Sequence, residues 1–159
     1  LPDNISPGPV YDDRLKLDHQ LCFAIYAASR EMTKLYRPLL AGLDITYPQY
    51  LTLLALWEQD GLTVKEIGDR LYLDSGTLTP LLKRLAAQGL ITRKRAVEDE
   101  RKVTITLTEA GHALKADAYC IPEQILGKSG ATGIELDRLF RDVHQLLAGL
   151  REAGSKNES

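Results

Sequence analysis

Between about Asp13 and Leu40 the apolar residues Leu17, Leu21, Ala24 or Ile25, Ala28, Met32, Leu35 and Leu39 recur at spacings of three and four. That spacing predicts one long helix with a single apolar stripe. Pro38 should kink it or loosen its last turn, and Gly42 should stop it. A second helix opens at Tyr47, with Thr46 as its cap and Pro48 in the first turn, where no helical hydrogen bond is lost. Leu51, Leu54, Ala55 and Trp57 would form its buried side, and Gly61 would end it.

The stretch from Thr63 to Leu71 repeats Val64, Ile67 and Leu71 at helical spacing, and Thr63 with Glu66 makes a capping-box pattern. After a break at Tyr72 to Asp74, another helix runs from Ser75 to its stop at Gly89, with Leu78, Leu81, Leu82 and Leu85 pointing inward. Thr77 is a candidate N-cap there, which would put Pro80 near the first turn. Residues 90–95 and 102–107 then read as two strands, the second with period-two alternation, joined by the polar tip 96–101. A helix from Thr108 to about Cys120 follows, and Ile121-Pro122 should break or bend the chain there. Gly127 to Gly133 would form a loop, and Ile134 to Leu150 is helical again. Residues 1–12, rich in proline and acidic side chains, read as a mobile arm, and 154–159 as a frayed tail.

Helix, turn, helix and basic hairpin over residues 47–107 describe a winged helix-turn-helix. The expected fold is mainly α with a small β wing, flanked by helices at about 13–41 and 108–152. The last helix is unusually apolar for one small domain to cover, so the flanking helices are expected to form a dimerisation region; packing back on their own subunit is the alternative. Small residues at the leading end of the second reading helix, Ser75, Gly76, Thr77 and Thr79, allow close approach to a major groove. An ordinary small α+β unit with a solvated charged hairpin would share this outline.

Charge sharpens the picture. The net charge of the 159-residue chain is −2, which argues against a uniformly basic nucleic-acid binder. Residues 83–102, however, hold Lys83, Arg84, Arg93, Lys94, Arg95, Arg101 and Lys102 against Glu98, Asp99 and Glu100. Positive charge is therefore concentrated where phosphate attraction would need it. No apolar run is long enough for a membrane span, and the N-terminus lacks an export pattern, so a cytoplasmic protein is expected. Cys22 and Cys120 form no CxxC pair, and His19, His112 and His144 are scattered. Neither a metal nor another cofactor is expected, and a structural disulfide is not the default.

The order of elements, the run from Leu73 to Leu85 and the wing residues Asp99, Glu100 and Arg101 resemble the MarR family of winged-helix transcription regulators. More narrowly, the chain is similar to its organic hydroperoxide-sensing branch, OhrR. The resemblance implies a reactive cysteine at Cys22 with Tyr36 and Tyr47 as its hydrogen-bonding partners, donated across a homodimer. On one straight helix Cys22 and Tyr36 would stand about 21 Å apart along the axis, so they could meet only through a second subunit. Phenols donating to sulfur would favour the thiolate, the form that attacks peroxide. The resemblance also implies a wing-tip Arg101 in the minor groove, steadied by Asp99, on a palindromic double-stranded DNA operator. Lys83, Arg84, Arg93, Arg95 and Lys102 are then candidate phosphate contacts. Cys120 is a possible resolving cysteine; some members of the branch carry one a few residues later, and a small thiol could cap Cys22 instead.

Three functions compete. The first is a repressor that releases DNA when an organic hydroperoxide oxidises Cys22. The second is a regulator released by a small phenolic or acidic ligand. The third is a thiol peroxidase, disfavoured because no neighbouring His or Arg marks a catalytic thiol; the protein is not expected to be an enzyme. Read alone, Cys22 among Leu21, Phe23, Ala24 and Ile25 is also compatible with an inert core residue.

Overall fold

The computed structural model describes residues 13–95, 102–130 and 134–157. Asp99 and Arg101, the proposed N-terminal arm and the end of the tail lie outside these residues. The chain divides into two compact units, Leu1–Ile125 and Leu126–Ser159.

The expected helix from Asp13 to Leu40 is interrupted. A single 3-10 turn spans Leu17–His19, and Lys16 and Gln20 on either side of it are extended. Side chains take the carbonyls that a continuous helix would use: the Gln20 amide donates to the carbonyls of Arg14 and Lys16, and His19 bonds to that of Asp13. Helix α1 therefore begins at Leu21 and runs unbroken to Ala41, with Pro38 tolerated inside its last two turns. Only Leu40 of α1 is buried, while Leu35 and Leu39 pack partly against the core. Leu21, Ile25 and Met32 remain exposed in the chain.

Helix α2, Tyr47–Glu58, starts as expected: the Thr46 N–H donates to Gln49 Oε1 at 2.8 Å, and Pro48 lies in the first turn. Its buried set is Gln49, Tyr50, Thr52, Leu53, Ala55 and Leu56, so of the four side chains expected inside only Ala55 is. The helix is apolar almost all round and packs against several neighbours, which leaves periodicity no single face to find. Strand β1, Leu62–Thr63, was not expected; two residues carry no alternation signal.

Helix α3, Val64–Leu71, has the anticipated capping box, the Thr63 N–H donating to Glu66 Oε2 at 2.7 Å and the Glu66 N–H to Thr63 Oγ1 at 3.2 Å. Tyr72 turns the chain at φ 57°, and α4 runs from Ser75 to Ala87. Its N-cap is Asp74 rather than Thr77: Asp74 Oδ1 accepts the Thr77 N–H at 2.9 Å, and the Thr77 hydroxyl donates to Asp74 Oδ2. Pro80 accordingly falls in the second turn. Leu78, Leu82 and Leu85 are fully buried, whereas Leu81 is only partly so.

Strands β2, Ile91–Arg95, and β3, Val103–Leu107, form an antiparallel hairpin, and β1 pairs with β3 to give the order β1-β3-β2. Ile91, Ile105 and Leu107 close the core over Leu53, Leu56, Ile67 and the α4 leucines. Helix α5 spans Glu109–Ala118 from a Thr108 cap. The helical run is interrupted just before Ile121-Pro122, at Tyr119 and Cys120, and the dipeptide itself opens helix α6, Ile121–Lys128, because a proline at the second helical position removes an N–H that has no helical acceptor anyway. The expected loop thus starts after Lys128. Helix α7 is Leu136–Asn157, beginning two residues later than expected and continuing through most of the supposed frayed tail, where no proline stops it. Its apolar stripe is exposed in the chain, with Phe140 at 66% and Leu150 at 61%. Among the described residues no helix is long and apolar enough to cross a membrane.

Candidate functional site

Helices α3 and α4 with the turn at Tyr72 set one exposed face. Ser75, Gly76 and Thr77 lie in the first turn of α4 and are exposed, and Thr79 is partly buried. Two of the hydroxyls are already engaged: Thr77 bonds to Asp74, and Thr79 donates to the Ser75 carbonyl at 2.7 Å. These bonds hold the helix end rigid and hold the Asp74 carboxyl below its usual range, its main cause being the Thr77 N–H. Lys83 and Arg84 are exposed further along α4, as are Arg93 and Arg95 on β2 and Lys102 before β3.

Strand register sorts the wing's basic residues into two sets. Arg93 and Arg95 stand opposite Ile105 and Val103, whereas Lys94 stands opposite Thr104. Side chains alternate across a sheet, so Arg93 and Arg95 share one face. Lys94 and, by continuation, Lys102 belong to the other, with Thr92 and Thr106, whose hydroxyls bond at 2.5 Å. Arg93, Arg95 and Lys102, expected together as phosphate contacts, are thus presented from the two sides of the hairpin.

The second constellation is sulfur and phenol. Cys22 lies in the first turn of α1, exposed and free, and Cys120 is exposed and free at the α5–α6 corner. Tyr36 lies fourteen residues after Cys22 on the same unbroken helix, so the two do not meet within the chain. Tyr36 does meet Tyr47, their ring centroids 4.6 Å apart. Tyr50, missed in the sequence, completes the cluster at 5.9 Å from Tyr36 and 6.5 Å from Tyr47, and Trp57 follows at 6.4 Å from Tyr50. The Tyr47-Pro48-Gln49-Tyr50 spacing of three on a helix was the signal that could have found it. No hydrogen bond among the described residues engages the Tyr36 or Tyr47 hydroxyl, so both are free to donate elsewhere.

Burial raises the pKa of Tyr36, Tyr47 and Tyr50 above 10.0, with charge repulsion from Tyr47 and Tyr50 adding at Tyr36 and from Tyr47 at Tyr50. Raised phenols favour the protonated, hydrogen-bond-donating form. Their contribution to stability is complete below pH 10.0 and is lost as pH rises through the higher folded values. Urea unfolding measured across this alkaline range should show stability falling with pH, and Tyr36→Phe should make the fall shallower. An unchanged slope would remove Tyr36 from the linkage.

Beside this cluster a cavity of about 290 Å³ opens between α2, α5 and α6, lined by Tyr50, Trp57, Lys115 and Tyr119 among others. Among the described residues no group of His, Cys, Asp and Glu could hold a metal.

Comparison with known proteins agrees with this geometry. Residues 34–118 match the family model described as transcriptional regulator SarA/Rot. An organic hydroperoxide resistance transcriptional regulator of Bacillus subtilis is 59% identical over 140 residues, covering 88% of this chain and 95% of the relative. The structure of reduced AbfR bound to DNA superposes with a TM-score of 0.72 at 37% identity, covering 87% of this chain and 96% of that one. A MarR transcriptional regulator from Methanosarcina mazei Go1 gives a TM-score of 0.66 at 26% identity, covering 84% and 94%. With its helix-turn-helix, its wing strands and these relatives, the chain belongs to the MarR family of winged-helix transcription regulators, in the organic hydroperoxide-sensing OhrR branch.

Proposed function

We propose that the chain is a dimeric, cytoplasmic repressor that binds a palindromic operator when reduced and releases it when an organic hydroperoxide oxidises Cys22. The observation that carries this reading is the separation of the exposed Cys22 from two unengaged phenols, Tyr36 fourteen residues on along the same unbroken helix and Tyr47 packed against it from the start of α2. An antiparallel partner helix brings the Cys22 of one subunit to Tyr36 and Tyr47 of the other. The exposed apolar residues of α1 and α7 supply the area such a dimer would bury.

The chemistry balances. The Cys22 thiolate attacks the distal peroxide oxygen, the O–O bond breaks, and the alkoxide takes a proton and leaves as alcohol. Cys22 is left as a sulfenic acid. A second thiol then displaces water to form a disulfide. A small cellular thiol can reach the exposed Cys22, and Cys120, also exposed, is a second candidate. Growth of the sulfur group at a packed interface separates the Tyr pair and moves the two α4 helices off their spacing of about one DNA turn. Each turnover consumes the reduced repressor, so the reaction is a signal and not enzymatic catalysis.

Operator binding by wild type and Cys22→Ser, with and without organic hydroperoxide at one salt concentration, tests the proposal. Release of the wild type alone is expected. Release of both proteins would instead favour a regulator displaced by a small aromatic acid, for which the cavity beside Tyr50, Trp57 and Lys115 is suited. If neither is released, Cys22 is not the sensor.

The basic residues give a second test. Alanine at Lys83, Arg84, Arg93, Arg95 or Lys102 should reduce the slope of log K against log salt by about one per subunit wherever the residue meets a phosphate. Sequence preference should change little. A residue whose removal leaves the slope unaltered is a solvated surface charge.

A further inference from the structure

Gln49 and Thr52 are the polar side chains buried among the described residues. Thr52 bonds within its own helix, donating to the Pro48 carbonyl. Gln49 instead joins two parts of the protein. Its Oε1 accepts the Thr46 N–H at 2.8 Å, immediately before Tyr47, and its Nε2 donates to Gln88 Oε1 at 2.9 Å. Gln88 is the C-cap of α4, its own N–H bonded to the Arg84 carbonyl. The Gln88 amide then returns to the start of α2, donating from Nε2 to the Asp44 carbonyl at 2.6 Å. Asp44 sits at φ 54°, the left-handed region that non-glycine residues rarely occupy. Two glutamines thus staple the end of α4 to the turn that carries Tyr47, over 39 and 44 residues of sequence.

Apolar residues of α2 and α4 also share the core, and packed helices can slide past one another by small amounts. Amide hydrogen bonds do not slide: they are directional and weaken steeply with angle. A displacement of Tyr47 therefore moves Thr46 and Asp44, and through them Gln49 and Gln88, before it is absorbed by the core. We propose that Gln88, together with Gln49, is the positioning pair that transmits displacement at the Tyr36–Tyr47 site to helix α4. This relay rests on the redox reading above, because it supposes that oxidation moves Tyr47.

The test uses the full chain and the variants Gln88→Met, Gln49→Met and both together. Methionine keeps the length of the side chain and removes the amide. Operator Kd is measured for reduced and for hydroperoxide-treated protein, and sulfenic acid formation at Cys22 is timed by trapping and mass spectrometry. In Gln88→Met the reduced Kd should stay within about threefold of wild type and the rate of Cys22 oxidation should be unchanged. The ratio of oxidised to reduced Kd should nevertheless fall by about tenfold, inside the usual range for coupling between sites. The double variant should give the same ratio as Gln88→Met, because the two residues act in one chain. A merely structural pair would weaken both states alike and leave the ratio within twofold of wild type, and that result overturns the relay. Should Gln49→Met fail to fold, the exposed Gln88 still decides the matter. A wild type that stays bound after oxidation would sink the redox reading and the relay together. A wild type and a Gln88→Met that release equally would sink the relay alone.

Discussion

Gly111→Ala is expected to destabilise the protein by about 3 kcal/mol or more, at and beyond the upper end of the usual cost of overpacking. Its Cβ would lie 2.1 Å from the Leu90 carbonyl oxygen and 3.1 Å from Leu107 Cδ2. Helix α5 has no easy way to step aside. The Gly111 N–H donates to Thr108 Oγ1 at 3.0 Å, and its carbonyl accepts Trp57 Nε1 at 2.9 Å. The obstructing Leu90 carbonyl is itself held by the Thr108 N–H at 3.1 Å. Thermal unfolding should shift down by on the order of 10 °C. Gly127→Ala is the matched control: it lies in α6 with nothing within 4 Å of the added carbon, so its stability should rise slightly or stay unchanged. A Gly111→Ala protein melting within a few degrees of wild type would show that α5 moves more freely than its bonds imply.

The second large effect concerns α7. Leu139→Asp combined with Val143→Asp places two carboxylates one turn apart on a stripe that is exposed in the chain, where each of the two residues is 47% accessible. In a lone subunit such changes cost little. In a dimer that buries the stripe they forfeit about 1.5–3 kcal/mol of apolar burial per side chain and add an unpaired charge at each position. Light scattering should report a monomer. Operator affinity should fall by at least about a hundredfold, because the second half-site is no longer delivered at high effective concentration. Cooperative thermal unfolding of residues 13–125 should persist. A variant that remains dimeric with normal operator affinity would remove α7 from the interface.

Local chemistry explains what could be seen in the sequence. The capping box at Thr63 and Glu66, the cap of α2 and the stop at Gly89 are decided by residues within four positions of one another, and each is found as expected. Pro122 and Pro48 both occupy the first turn of a helix, but the weak apolar pattern after Pro122 shows only the interruption before it and hides the helix it opens. Asp74 and Thr77 are both good N-caps by type, and only the turn at Tyr72 chooses between them. The burial of α2 could not be assigned because an almost uniformly apolar helix has no period to read. At the candidate site, Cys22, Tyr36 and Tyr47 came from family resemblance, and the fold brings the two tyrosines together while keeping Cys22 apart. Tyr50 and the Gln49–Gln88 link depend on contacts between distant segments, and no local pattern announces those.

The strand order β1-β3-β2 has a consequence for the history of such proteins. Leu62 pairs with Ile105, so the entry and exit of the whole reading unit lie on adjacent strands, about 5 Å apart. A segment whose ends touch can be exchanged between scaffolds without altering the path of the flanking chain. Operator recognition can therefore be replaced as a cassette while helix α1, which carries Cys22 and Tyr36, is left as it is, provided the end of α4 keeps a partner for Gln49. New target genes and new inducing signals can then be acquired separately, by recombination at two junctions that the sheet holds side by side.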